Sequence, residues 1–392
     1  MKIYTGALII LLAWINILIT KKRMQYWIFS YLFSYFKRRE YLDVSSPIDI
    51  LFCIVDHFEP GYGEADSETE RRRLDVWVEK YPLLASMHRD YDGKLPQHTW
   101  FFPPHYDRQD HLERLIKLCR QGYGEIELHY HHNRVPPYPD NSQTFEKKIR
   151  DCIKNYSRFG IFPEDKTGKK RYGFIHGDWA LDNSRGNKLC GINDEIQILA
   201  RTGCYADFTF PSQYESQPRK INAIYYAKDD PLRPKSYDTG QNVKVNRKPD
   251  GDLMIIQGIL GVRLVKRIQS LFIAIEDSDM SNSNPPTRNR IDYWVKNSIA
   301  IVGRPNVRFI KLHTHGAWEG CNEALLGKAA EDMYSYLESR YNDGKNFRLH
   351  YVTAREMYNI IKATEDGKAG NLGEYRNYLL GEPKYESSGS KQ

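Results

Sequence analysis

Three histidines within four residues form the densest group of potential metal ligands in this sequence. His129, His131 and His132 lie in residues 127–133, ELHYHHN. If a β-strand continues through this segment, His129 and His131 share one face. If a helical turn begins there, His129 instead meets His132 or Asn133. Either geometry supplies two ligands to one metal ion, and Zn²⁺ with three protein ligands and an open position is suited to hydrolysis.

Two further groups have the residue types needed for proton transfer. Asp56 and His57 are adjacent at the end of one apolar run, and His313 and His315 follow another. An Asp beside a metal-bound water acts as a general base, and neutral His is a common metal ligand. A His facing that water across a pocket acts as a general acid, a role that fits His313. In the alternative, structural interpretation, Asp56 caps a loop and the histidines serve packing.

The segment His176-Gly177-Asp178-Trp179 has residues typical of carbohydrate binding. Carboxylates hydrogen-bond sugar hydroxyls, and aromatic rings stack on sugar faces. We therefore expect His176, Asp178 and Trp179, together with His315, to contact substrate. Trp179 is equally compatible with a position in the core.

These groups all follow short β-rich runs, and seven of the twelve histidines lie at four of the run ends. Helix-like stretches separate the runs, which is typical of a parallel β/α barrel whose active site is built at the C-terminal ends of the strands. The seven runs are DILFCIVDHFEP, HTWFFPPHYD, EIELHYHHN, YGFIHGDWALDN, CYADFTFPS, VRFIKLHTHG and FRLHYVTARE.

Two parts of the sequence depart from this alternation. Residues 213–300 are rich in turns and are predicted to contain a hairpin, so we expect an insertion in a domain that spans residues 42–380. It either borders the site or contacts a partner, or it is a plain surface excursion. Residues 381–392 are polar and are predicted to form a disordered tail.

The N-terminus is expected to attach the protein to a membrane. Residues 4–20 contain no charge and are at the short limit for a spanning helix, and an aromatic stretch follows them. The sequence predicts an anchor and interfacial segment over residues 1–41. Basic residues on its C-terminal side favour a single-pass anchor in the inner membrane, with the domain in the cytoplasm. The alternatives are a domain on the periplasmic side and a helix adsorbed on the membrane.

The positive charge is concentrated in the same segment. The chain carries +7, of which residues 1–42 contribute +6, so the remaining 350 residues carry +1. This distribution argues against a nucleic-acid-binding surface on the domain. The six cysteines occur singly, which favours buried thiols over a zinc ribbon.

Over about residues 48–360, the order of these motifs resembles the polysaccharide deacetylase superfamily, which includes carbohydrate esterase family four. That superfamily has a deformed (β/α)7 barrel. Its first motif is an Asp-Asp pair, with the general base first and a metal ligand second. The resemblance implies that Asp56 is the base and that His57 replaces the ligand.

The later motifs are matched in part. The family's His-x-x-x-His motif corresponds to His129, but Asn133 occupies its last position, so His131 or His132 is expected to complete the metal site. The family's Leu-His motif corresponds to Leu312-His313, which implies that His313 is the acid.

Together, the residues and the resemblance predict a metal-dependent hydrolase, with Zn²⁺ as the expected metal, that removes an acetyl group from a lipid-linked or surface glycan. One alternative is a glycoside hydrolase on a similar barrel, for which Asp56, Asp178 and Asp207 are the candidate carboxylates. The other is a non-catalytic glycan-binding protein.

Overall fold

The computed structural model describes residues 16–17, 19–38, 47–106, 108–267 and 270–386. Its strands are β1 (Ile48–His57), β2 (His98–Phe102), β3 (Gly124–Tyr130), β4 (Tyr172–His176), β5 (Cys204–Asp207), β6 (Ile224–Ala227), β7 (Gln241–Asn242), β8 (Leu253–Ile256), β9 (Gly261–Arg267), β10 (Ser270–Glu276), β11 (Asp279–Met280), β12 (Ile299–Ile301), β13 (Arg304–Thr314) and β14 (Phe347–Tyr351).

The helices lie mainly between these strands along the chain. They are α1 (Ile28–Arg38), α2 (Ser67–Ala85), α3 (Gln109–Arg120), α4 (Ser142–Ser157), α5 (Glu195–Thr202), α6 (Arg288–Asn297), α7 (Asn322–Leu326), α8 (Lys328–Tyr341) and α9 (Ala354–Glu365). Local sequence defines several of their ends. A capping box at Asn141 and Thr144 begins α4, and Gly203, at φ 114°, ends α5.

The chain forms a mixed α/β fold around a mostly parallel sheet. Its hydrogen-bonded order is β11, β13, β1, β2, β3, β4, β5, β8, β6, β7, while β14 pairs with the start of β1 and β12 pairs with β13. A β-bridge joins Lys244, just after β7, to Val302, just after β12. Because the central strands are parallel, their C-terminal ends lie at one edge of the sheet.

All seven predicted runs form strands that pair in parallel in this sheet. The segment predicted as an insertion contributes more than expected, because β8 lies within it and pairs in parallel with β5. The predicted hairpin is present as the antiparallel pair β9–β10.

Alternation along the strands separates two hydrophobic layers. On β1, Ile50, Phe52 and Ile54 pack into the layer that contains residues of α2, α3 and α4. The odd-numbered positions Leu51, Cys53 and Val55 pack into a second cluster on the other face. Since neighbouring residues of a strand point to opposite faces, each side chain packs in the layer opposite to that of the residue before it. We call the face of Leu51, Cys53 and Val55 the inner face and the opposite one the outer face.

The described part of the N-terminal segment packs on the domain through Met24 and Trp27, which contact Ile221 and Leu260. Among the described residues, no helix has the length and apolar character needed to cross a membrane. Most of the predicted anchor run, residues 4–20, lies outside the described residues.

The C-terminal segment differs from its prediction. Residues 381–386, assigned to a disordered tail, run along the domain, where the Glu386 amide donates a hydrogen bond to the Phe159 carbonyl and Arg120 donates to the Tyr385 carbonyl. Residues 387–392 lie outside the described part of the chain.

Candidate active site

Histidines from three strand ends meet on the inner face of the sheet. The His57 ring lies 4.9 Å from that of His129 and stacks on that of His315 at 4.8 Å, measured between ring centroids. His313 is 6.3 Å from His57 by the same measure. The pairing of β1 with β13 brings these residues together, because Val55 is in register with His313.

Next to these histidines, three side chains offer ligand atoms that lie within 4.8 Å of one another, namely Glu59, His129 and His131. Glu59 Oε1 is 3.0 Å from His131 Nε2 and 3.8 Å from His129 Nε2. The opposite ring nitrogens are also held: Nδ1 of His129 contacts the Ile175 carbonyl at 3.0 Å, and Nδ1 of His131 contacts Asp178 at 3.2 Å. This arrangement is typical of metal-binding histidines, whose second nitrogen is oriented by an oxygen.

In residues 127–133, the side chains alternate as expected for a continuing strand and not as expected for a helical turn. His129 and His131 share the inner face, with ring centroids 4.7 Å apart. Within the described residues, the buried Nε2 atoms of His57 and His129 have no hydrogen-bond partner. The Nε2 atoms of His129 and His131, which lie beside the Glu59 carboxylate, fit the requirements of a divalent metal ion.

Burial and mutual repulsion determine the charges of these rings. Burial, together with the neighbouring His315 and His129, lowers the pKa of His57 well below its usual value, so its ring is neutral at pH 7. Burial alone would raise the pKa of Glu59, but the neighbouring His129 and His131 rings hold it well below its usual value. A neutral His57 and an ionised Glu59 are the protonation states that bind metal.

Asp56 does not share this face. Its side chain is fully buried, with Oδ2 2.8 Å from His98 Nε2 and Oδ1 accepting a hydrogen bond from the Gly316 amide at 2.6 Å. The Trp77 ring of α2 packs on His98, so Asp56 points toward the outer layer. The strand pleat explains the difference from the expected role as base, because Asp56 and His57 must face opposite ways.

His132 and His176 also lie on the outer face, apart from the histidines expected to share their site. His132, one residue beyond His131, contacts Phe145 of α4, and it stacks on His176 at 4.9 Å. His176 is fully buried and does not line the cavity formed by Trp179, His313 and His315. Of the two alternatives His131 and His132, the structure therefore places only His131 beside His129, and it places His176 on the opposite face from Trp179 and His315.

The remaining predicted substrate-binding residues do lie at the inner site. Trp179 and His315 line a cavity of about 310 Å³ together with His313. The Trp179 ring is 5.6 Å from His57 and 5.8 Å from His315. Asp178 contacts His131, and both Asp178 and Trp179 have left-handed backbone conformations, with φ 56° and 51°. This turn directs the carboxylate and the indole to the same region.

The same cavity is lined by Lys21, Lys22 and Arg23, which the sequence assigns to the flank of a membrane anchor. The Arg23 guanidinium lies 4.6 Å from the centre of the Tyr214 ring, and Arg185 lies 4.1 Å from it. Asp277 and Asp279 line the cavity as well.

Sequence reasoning missed Glu59 and the basic residues of this cavity. Glu59 had a usable signal, because it follows His57 by two positions and a continuing alternation places it on the same face. Lys21, Lys22 and Arg23 had none, since only tertiary packing brings them to the strand ends.

No family model and no curated protein matches the sequence. Among solved structures, the crystal structure of a 4-alpha-glucanotransferase from Thermococcus litoralis is similar with a TM-score of 0.40 and 11% identity. The similarity covers 80% of this chain and 40% of that one. A match at this level carries no argument about the function of the chain.

Proposed function

We propose that the protein is a metal-dependent hydrolase that removes an acetyl group from a glycan, on a deformed β/α barrel of the deacetylase type. The observation that carries the proposal is the grouping of Glu59, His129 and His131 on the inner face, with the ring of His57, whose Nε2 is unpartnered, 4.9 Å from that of His129. It is supported by the position of this group at the C-terminal ends of parallel strands, where active sites of such folds are built.

In this proposal, Glu59, His129 and His131 hold a divalent metal ion, with His57 as a further ligand. The nitrogen-rich donor set favours Zn²⁺. When bound, the ion supplies Lewis-acid polarisation of the acetyl carbonyl. Asp178 fixes the orientation of the His131 ring through Nδ1.

His313 is the group that we assign to proton transfer. Burial, Lys311 and His315 lower its pKa well below the usual value, so it is neutral at pH 7 and has to accept a proton before it can donate one. It accepts the proton of the attacking water and returns it to the leaving amine or alkoxide. We assign no proton transfer to Asp56, because both of its oxygens are already engaged.

The cavity beside His313 suggests the substrate. Trp179 offers a ring face for a sugar, and Lys21, Lys22 and Arg23 offer positive charge to an anionic group. We therefore favour an anionic glycan, such as one linked to a lipid through phosphate.

A membrane partner fits the surface of α1. Phe29, Leu32 and Phe33 are 78%, 46% and 66% exposed, and Leu264 and Phe272 of the neighbouring β9–β10 hairpin are exposed too. Apolar side chains grouped on one surface of an amphipathic helix are typical of interfacial binding. We propose that this surface lies on the inner membrane, with the domain on the cytoplasmic side.

The proposal can be tested with purified full-length protein and acetylated oligosaccharides. We expect release of acetate, loss of release after chelation, and recovery with added Zn²⁺. His129→Ala and Glu59→Gln should lose metal and activity together, whereas the matched control His88→Gln, at a buried His that follows α2 and pairs with Glu338, should retain both. Chelator-resistant cleavage of glycosidic bonds would instead identify a glycoside hydrolase. Metal-free protein that binds glycans without hydrolysis would identify a binding protein.

A further inference from the structure

A second group of potential metal ligands lies behind the candidate active site, on the outer face of β3 and β4. His132, His176, Cys190 and Glu195 offer one ligand atom each, and these atoms all lie within 4.8 Å of one another. The four side chains are at most 1% exposed. They come from the turn after β3, the end of β4, the connection after β4 and the first residue of α5.

Two distances from the Glu195 carboxylate, one from each of its oxygens, are close to those between neighbouring ligands of a tetrahedral ion. For Zn–N bonds of about 2.0–2.1 Å and Zn–S bonds of about 2.3 Å, neighbouring ligands are roughly 3.3–3.7 Å apart. Glu195 Oε1 is 3.4 Å from His176 Nε2, and Glu195 Oε2 is 3.5 Å from Cys190 Sγ. His132 Nε2 is nearer to Glu195 Oε1, at 2.9 Å.

The surroundings of the two rings point to a ligand in the middle of the group. Within the described chain, the fully buried Nε2 of His176 has no hydrogen-bond partner, and it is directed at Glu195. On the other side of the same ring, Nδ1 lies against the Gly177 carbonyl. His132 Nδ1 lies 3.2 Å from the buried Asp140 carboxylate. An oxygen behind each ring is the second shell that orients metal-binding histidines.

We propose that His132, His176, Cys190 and Glu195 bind a structural Zn²⁺ ion. The set combines a thiolate, two imidazoles and a carboxylate, which suits Zn²⁺ better than Mg²⁺ or Ca²⁺. Four protein ligands and complete burial leave no position for substrate, which is the property of a structural site. Binding releases the thiol proton of Cys190 and any proton held between His132 and the carboxylates.

This ion fixes the neighbouring active-site residues. His131 immediately precedes His132, and Asp178 follows His176 by two positions, so both members of the His131–Asp178 contact are tied to the cluster. The inference does not rest on the proposed deacetylase activity, because the cluster lies on the opposite face of the sheet.

A metal-free arrangement is the competing explanation. In it, a protonated His132 bridges Asp140 and Glu195, and Cys190 donates a hydrogen bond to Glu195. Such a network and a Zn²⁺ site differ in one observable, the presence of a metal–thiolate bond.

Cobalt substitution of the full-length protein measures that bond. Tetrahedral Co²⁺ bound to a thiolate gives a charge-transfer band in the near ultraviolet. The candidate active site contributes Glu59 and histidines, so the band reports the second cluster. We expect the band in the wild type and in His129→Ala, and its loss in Cys190→Ser. Cys204→Ser, at a buried Cys in β5, is the matched control and should retain the band.

Zinc content provides the second measurement. Cys190→Ser should contain about one ion per chain fewer than Cys204→Ser, because it loses one of four ligands of a closed site. If Cys190→Ser fails to fold, the wild-type spectrum still distinguishes the Zn²⁺ site from the metal-free network. Folded wild type without a thiolate band, or folded Cys190→Ser with unchanged zinc, would overturn the inference.

Discussion

Oδ1 of Asp56 accepts a hydrogen bond from the backbone amide of Gly316 at 2.6 Å, which joins the end of β1 to the turn after β13. Gly316 follows His315, whose ring stacks on His57. The contact therefore holds two inner-face histidines in place through the backbone. Asp56 is in this sense a positioning residue rather than a group that touches substrate.

This role predicts the effect of two substitutions at Asp56. Asp56→Asn keeps an acceptor for the Gly316 amide, so metal content and turnover should stay within about 10-fold of wild type, whereas loss of a general base costs roughly 10²–10⁴-fold. Asp56→Ala leaves a buried amide without a partner and should lower the free energy of unfolding by about 1–3 kcal/mol. Metal analysis, denaturant unfolding and turnover measure these effects. An Asp56→Asn protein of wild-type stability and metal content that has lost 10²-fold or more in turnover would restore Asp56 as the base.

Strand alternation explains both the successes and the errors of prediction from sequence. The apolar runs identify the parallel strands because buried strands have a strong local signal. The same alternation places His129 and His131 together. It also separates Asp56 from His57, since neighbouring residues of β1 must face opposite ways.

Other features were not available from local sequence. Cys190 and Glu195 meet His132 and His176 only through the path of the chain after β4. The strand β8 was hidden in a turn-rich segment, because a four-residue strand has little periodicity of its own. Lys21 and Lys22 have the composition of a membrane flank, and tertiary packing alone brings them to the cleft.

The basic residues of the cleft predict a dependence on substrate charge. In Lys21→Gln/Lys22→Gln, we expect KM for an anionic acetylated glycan to rise about 3- to 10-fold at low salt, because exposed ion pairs contribute about 0.2–1 kcal/mol each. The effect should shrink at high ionic strength, where these charges are screened. KM for a neutral glycan and kcat for both substrates should stay unchanged. Lys328→Gln, an exposed Lys on α8, is the control. Equal KM changes for the neutral and the anionic glycan would contradict charge recognition.

The apolar surface of α1 predicts contact with lipid. A nitroxide label on Phe29→Cys or Phe33→Cys, in full-length protein reconstituted into vesicles of phosphatidylcholine and phosphatidylglycerol, should be accessible to oxygen and protected from a water-soluble nickel complex. Leu232→Cys, an apolar site that is 86% exposed, provides the control and should show aqueous accessibility. All three variants contain residues 1–20, so any effect of that segment on overall membrane binding is the same for each label. Equal nickel accessibility at all three sites would exclude α1 from the membrane surface.

The last prediction concerns stability far from the cleft, at His350 on β14. Its ring is fully buried between two carboxylates, with Nδ1 2.8 Å from Asp92 and Nε2 3.1 Å from Asp49. Burial alone would lower the pKa of His350, but the hydrogen bonds to Asp49 and Asp92 raise it above its usual value. Arg376 also contacts Asp92, at 3.2 Å, and the pKa of Asp92 is held below its usual value.

The signs of these shifts define a pH window. A raised pKa of His350 stabilises the fold fully below the unfolded value of about 6.5, and this contribution is lost as pH rises through the folded value. The lowered pKa of Asp92 stabilises the fold above the unfolded value of about 3.9, and that contribution is lost in acid. His350→Gln should therefore lower the free energy of unfolding most near pH 5–6, by about 3 kcal/mol, as expected when a buried charged partner is removed. The deficit should shrink toward pH 9. Denaturant unfolding of both proteins across this range measures it, and a deficit that stays constant from pH 5 to pH 9 would show that His350 is neutral in the folded protein.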